Sequence, residues 1–177
     1  ELQKHDTVLE VNLNAIIHNI NIHKSLLQPE TKMMAMVKAY SYGLGGYEIA
    51  EFLQHHHIDY LGVAYADEGI DLRKNGITTP IMVMNPEQHS YNSIIDYNLE
   101  PEIYSFRVLD LFNKQLLHKG TQRKYPLHIK LETGMHRLGF KADELNELKQ
   151  KLNTMNVEVK SIFSHLSSAD DENEKDY

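Results

Sequence analysis

The sequence predicts a parallel α/β fold made of strand-and-helix units, an incomplete TIM-type (β/α) barrel, and three observations carry that expectation. Short continuous apolar runs recur along the chain, as strands buried on both faces of a parallel sheet require. Between them lie segments with apolar residues at helical spacing, which supply the long crossovers that parallel neighbours need. The chain has 177 residues, whereas a closed barrel of eight strands takes about 250. The pattern therefore reads as about six of the eight βα units of a barrel, and an open parallel sheet fits it too.

The elements follow in order. Over residues 13–27, Leu13, Ile16, Ile17, Ile20, Leu26 and Leu27 keep helical spacing and Pro29 closes the segment. The run 33–37 is apolar throughout and ends at Lys38, so it reads as the first buried strand. Helices are expected over 47–54, 67–74, 91–97, 107–117 and 142–152, with strands over 60–63, 81–84, 102–104, 127–131 and 159–163. Asn75-Gly76 and His118-Lys119-Gly120 read as helix stops. Residues 170–176 are charged and end without a cap. With no linker or low-complexity tract, residues 1–177 form one domain.

Composition narrows the function. Twenty-five acidic against 18 basic residues give a net charge of -7, which disfavours a nucleic-acid partner. No apolar run is long enough to cross a bilayer, and residues 1–6 lack the basic and apolar regions of a signal peptide, so a cytoplasmic protein is expected with no membrane partner. The absence of cysteine excludes disulfides, thiolate zinc sites and a cysteine nucleophile. His55, His56 and His57 are consecutive, and helix neighbours point in different directions, so they read as a solvated helix end and no metal is expected.

Lys38 ends a buried strand and precedes the glycine-rich stretch Gly43-Leu44-Gly45-Gly46. Barrel active sites lie at that end of the strands. An amine emerging from apolar surroundings is partly desolvated, which favours the neutral form that attacks a carbonyl to make an imine. A rim lysine packing its stem over the barrel is the alternative reading of position alone.

The string Val37-Lys38-Ala39-Tyr40-Ser41-Tyr42-Gly43-Leu44-Gly45 resembles the cofactor-lysine motif of the alanine racemase family. The resemblance implies that Lys38 carries pyridoxal 5'-phosphate as a Schiff base and moves a proton on one face of the substrate α carbon, while Tyr42 bonds the cofactor phosphate. A second string, residues 130–139, is similar to the family segment ending in Gly-Arg-Leu-Gly, so Arg137 is expected to meet the cofactor's phenolic oxygen and the substrate carboxylate. Lys130 matches a family lysine that is often carbamylated, an anion that can hold the arginine where two bare cations would repel. Glu132 and His136 depart from the commoner Asp and Gly. A third string, residues 161–170, places His165 against the cofactor ring, and residues 8–19 are similar to the family's opening strand and first helix.

Tyr40-Ser41 stands where the family most often has Asn or Asp, and resembles the form in which the racemase follows a peptidoglycan-precursor ligase domain. The resemblance as a whole implies alanine as substrate, D-alanine for peptidoglycan as product, a homodimer, and residues 1–177 as an N-terminal barrel part inactive alone, since the opposite-face tyrosine and the arginine on the pyridine nitrogen match nothing here. A related racemase or decarboxylase, and a non-catalytic cofactor-binding barrel, are the competing readings.

Overall fold

The structure, a computed structural model, describes residues 7–168. Six strands, β1 (Met34–Met36), β2 (Tyr60–Val63), β3 (Ile81–Val83), β4 (Glu100–Ile103), β5 (Tyr125–Lys130) and β6 (Val157–Phe163), form one sheet in chain order, every neighbouring pair parallel. Among the described residues β1 and β6 pair on one side only, so the sheet is the open wall of an incomplete barrel. The helices are α1 (Leu13–Ser25), α2 (Lys38–Gly43), α3 (Tyr47–His55), α4 (Ala66–Lys74), α5 (Tyr91–Asp96), α6 (Phe106–Lys119) and α7 (Leu145–Thr154).

The core lies between the sheet and its helices. Leu61, Val63, Ile81, Val83, Ile103 and Leu127 of the strands are fully buried, and Ile49, Leu53, Leu72, Ile94, Leu109, Phe112 and Leu148 meet them from the helices. Tyr91, Phe112 and Tyr125 continue edge to face, at ring separations of 5.3 and 5.5 Å. Truncating a buried aromatic such as Phe112 would cost about 3–5 kcal/mol. Arg73 ties α4 to the following loops, donating to the carbonyls of Ile77, Thr79, Tyr97 and Asn98. Asn12 caps α1 by accepting from the Asn14 and Ala15 amides at 3.0 and 3.3 Å.

Several expected boundaries move. The segment 8–12 lies in no strand, which corrects the opening strand implied by the resemblance. β1 ends at Met36, so Lys38 does not end the strand but begins α2. β4 starts at Glu100, because the chain is already extended where Glu100 pairs with Met82 across β3. Residues 142–144 form a separate 3-10 turn before α7, and another, Gln88–Ser90, precedes α5. His55, His56 and His57 close α3 as a partly exposed end, and no group of metal-ligating side chains gathers among the described residues. No described helix is long and apolar enough to cross a membrane. Residues 169–177, with the charged end and Ala169-Asp170 of the third string, lie outside the described residues.

Candidate active site

Lys38 leaves the sheet two residues beyond β1 and opens α2, whose interior winds left-handed: Ala39, Tyr40, Ser41 and Tyr42 have φ between 52° and 58°. That conformation costs roughly 1–2 kcal/mol per residue for side chains with a Cβ, so the surroundings must hold it. Ser41 N–H donates to Val37 O at 3.0 Å and Gly45 N–H to Tyr40 O at 3.0 Å. Glu68, on the first turn of α4, accepts from the Ala39 amide at 2.7 Å through one carboxylate oxygen and from the Ala64 amide at 2.6 Å through the other. One carboxylate thus ties the lysine turn to the end of β2. Lys38 Nζ lies 5.9 Å from the centre of the Tyr42 ring.

Arg137 sits on the loop between β5 and α7, closed at its base by two backbone bonds: Phe140 N–H to Lys130 O and Glu132 N–H to Phe140 O, each 2.9 Å. Gly139, at φ +130°, passes so close to the Leu131–Glu132 peptide that a Cβ would stand 2.4 Å from the Leu131 carbonyl carbon. Glu132 accepts from the Gly134 amide at 2.6 Å, and the amides of His136 and Gly134 hold its carboxyl below the ordinary value. His136 takes φ 55°, a region glycine enters freely.

Inside the sheet the strands carry polar side chains at alternate positions. Glu100 accepts the Tyr60 hydroxyl at 3.3 Å and faces His128 Nε2 at 2.9 Å, while His128 Nδ1 lies 2.7 Å from Ser161 Oγ. Burial, then the charge of Glu100, push the Tyr60 hydroxyl up to about 12. One step toward the strand ends, Lys130 Nζ is 3.2 Å from Glu102 Oε1, with both residues buried.

These elements converge. Lys38, Tyr42, Lys130, Arg137 and His165 all line one cavity of about 660 Å³ at the C-terminal ends of the strands, with Met34, Met36, Met82 and Met84 as its apolar wall and Glu102 and Ser161 in its floor. Its volume lies in the range usual for small-molecule sites, roughly 300–1,000 Å³. Tyr42, Arg137 and His165 are exposed at its rim, Lys38 is half-buried, and Lys130 is buried. Glu68, Glu102, Glu100, His128 and Ser161 were not singled out by the sequence reading; the signal was the alternation of charged or polar residues within otherwise apolar strands, at Glu100 and Glu102 and again at His128 and Lys130.

A family model described as alanine racemase, N-terminal domain, matches residues 11–177. An amino-acid racemase of Enterococcus faecalis is 37% identical over 95% of this chain, which spans 23% of that protein. An alanine racemase of Clostridium kluyveri is 37% identical over 92% of the chain and 41% of its own length. Among solved structures, an alanine racemase of Clostridium difficile 630 superposes with a TM-score of 0.84 at 32% identity, over 91% of this chain and 43% of that one. The chain thus spans less than half the length of these relatives.

Proposed function

From the premise that this chain belongs to the alanine racemase family by its N-terminal domain, we propose that it provides the cofactor-bearing side of a site that interconverts L- and D-alanine, with Lys38 as the attachment point. Members of the family are isomerases that depend on pyridoxal 5'-phosphate. The observation that carries the reading is the convergence of Lys38, Tyr42, Arg137 and His165 on one cavity.

The donor set fits the cofactor. A half-buried amine suits attachment through an aldehyde, a phenol hydroxyl and the cationic rim suit an anionic phosphate, and four methionines shield the apolar side. When bound, the cofactor supplies an electron sink that stabilises negative charge at the substrate α carbon. The chain's own residues do the rest. Lys38 Nζ exchanges the α proton on its face, and the planar guanidinium of Arg137 grips the substrate carboxylate through paired hydrogen bonds. Tyr42 would donate its hydroxyl hydrogen to the cofactor phosphate, His165 would brace its ring, and the methionine wall would limit water near the reacting carbon. Inversion needs a second proton-handling group on the opposite face, which in this reading comes from a partner subunit of a homodimer. D-alanine for peptidoglycan is the product this chemistry would serve.

The test uses the full-length protein. Lys38→Ala should lower racemisation by several orders of magnitude, since it removes attachment and one proton carrier together, while Tyr42→Phe should chiefly raise the cofactor concentration needed for half-saturation. Wild-type turnover in Lys38→Ala, followed by a chiral assay, would overturn the proposal.

A further inference from the structure

A second cavity, of about 770 Å³, opens beside the first, between the loop that follows β3 and the first turn of α6. Asn85 is the one described residue that lines both. Tyr91 lines this groove and is 3% exposed, yet its hydroxyl makes no hydrogen bond among the described residues. Tyr125 shows what a buried phenol ordinarily finds: its hydroxyl lies 2.9 and 2.7 Å from the carbonyls of Ile94 and Leu99. Other donors line the same groove. The helix α6 runs for 14 residues, and Ser105 caps it by accepting from the Val108 amide at 3.3 Å, so the amides of Phe106 and Arg107 keep no partner within the helix. The Arg107 guanidinium and the Tyr104 hydroxyl stand beside them. Burial first, then Tyr104, push the Tyr91 hydroxyl up, and Arg107 pulls it back. Burial, then Glu102, push the Tyr104 hydroxyl up, Arg107 pulls it back, and Glu87 pushes it up again. Opposite charges thus act on one phenol. Glu87 is the one carboxylate among the described residues lining the groove, and it meets only His89 Nε2, at 3.7 Å.

We propose that this groove is a second, non-catalytic site for a free α-amino acid in its zwitterionic form. Arg107, the hydroxyls of Tyr91 and Tyr104 and the first turn of α6 take the ligand carboxylate, and Glu87 takes its ammonium. A guanidinium offers a carboxylate paired hydrogen bonds, and the start of a helix adds partial positive charge and free amides. The unpartnered Tyr91 hydroxyl gains an acceptor. Charge then selects the ligand. A simple anion meets the same donors but is repelled by Glu87, and a simple cation is repelled by Arg107. A small molecule that carries both charges satisfies both. The volume lies in the range usual for small-molecule sites, roughly 300–1,000 Å³. The inference does not rest on the racemase reading, since none of these residues is assigned to the cofactor or to proton transfer.

The experiment uses full-length protein loaded with pyridoxal 5'-phosphate and reduced with borohydride, so that no added amine exchanges onto the cofactor. Carbon-13 is placed at the phenol carbon of tyrosine, and Tyr91→Phe and Tyr104→Phe assign the two signals to be read. Glycine, acetate and methylammonium are the probes. Glycine should shift both signals saturably, acetate should do so about tenfold more weakly, and methylammonium should leave them in place. Arg107→Gln should weaken glycine about tenfold or more. Glu87→Gln should bring glycine and acetate to similar affinity. Arg107 and Glu87 are both exposed, so neither change disturbs the core. A wild-type protein without a saturable glycine shift, or an Arg107→Gln protein with unchanged glycine affinity, would overturn the proposal. Acetate binding as tightly as glycine in wild type would show a plain anion site and overturn the amino-acid assignment. Failure of the cofactor to load would count against the racemase reading alone, and the same titration of the unloaded protein, read at the same two signals, would decide this one.

Discussion

At the scale of single residues, the account turns on side chains whose chemistry is set by close neighbours. Lys38 owes its place to a turn that its own residues disfavour, and Glu68 holds that turn with a carboxylate shared among the Ala39, Ala64 and Tyr65 amides. Tyr60 gives a pH test of the polar interior. Its hydroxyl is raised from 10.0 to about 12, by burial first and by Glu100 second. The folded state therefore keeps a proton that the unfolded chain releases at lower pH. This contribution to stability is complete below the unfolded value near 10.0 and is lost as pH rises toward the folded value of about 12. Urea midpoints should fall across that window, and Tyr60→Phe should flatten the fall; an equal slope in both proteins would contradict the assignment. That Lys38, Tyr42, Arg137 and His165 belong near one another could be read from the sequence because each sits in a short recognisable string, and they do line one cavity. Glu68 and Glu102 could not be read so, because their partners are distant in sequence: Ala39 lies 29 residues from Glu68, and Glu102 meets Lys130 only once β4 and β5 are paired.

At the scale of elements, the loop that carries Arg137 is decided by two residues of opposite tolerance. Gly139 has no room for a Cβ beside the Leu131–Glu132 peptide, so Gly139→Ala must shift backbone and should lower stability by about 1–3 kcal/mol. His136 already stands in the left-handed region, so His136→Gly relieves strain while adding unfolded-chain entropy, and should change stability by less than about 1 kcal/mol. Thermal unfolding of the two variants checks this, and equal losses would show that the loop is not held as described. Alternating apolar runs and amphipathic segments made the six strands and the helices α1 and α3 to α7 legible in outline, but not α2. Boundaries shifted where local rules compete: the apolar run 33–37 concealed a strand that stops at Met36, and nothing in Ala39-Tyr40-Ser41-Tyr42 marks a left-handed turn, since none is glycine. The resemblance's opening strand has no sheet partner among the described residues.

At the scale of the whole molecule, an open sheet of six parallel strands places its candidate functional side chains at one end, where barrel sites lie. The chain spans 41% of the Clostridium kluyveri enzyme, and inversion at carbon takes proton carriers on both faces. The 177-residue chain, supplied with pyridoxal 5'-phosphate and L-alanine, should therefore give no D-alanine at the roughly 1–1,000 turnovers per second of ordinary enzymes; such turnover would mean that both carriers lie within it. Length and repeat indicated a parallel α/β sheet, either an incomplete barrel or an open sheet, whereas the polar floor beneath the cavity emerged only with strand register. The central claim is that Lys38 bears the cofactor. Incubating the full-length protein with pyridoxal 5'-phosphate, fixing the lysine-bound group by borohydride reduction, and locating the pyridoxyl mass by peptide sequencing tests it most directly. The label should fall on Lys38 and disappear in Lys38→Arg, whereas a label on Lys130, or one spread over surface lysines and unchanged in that variant, would contradict the account.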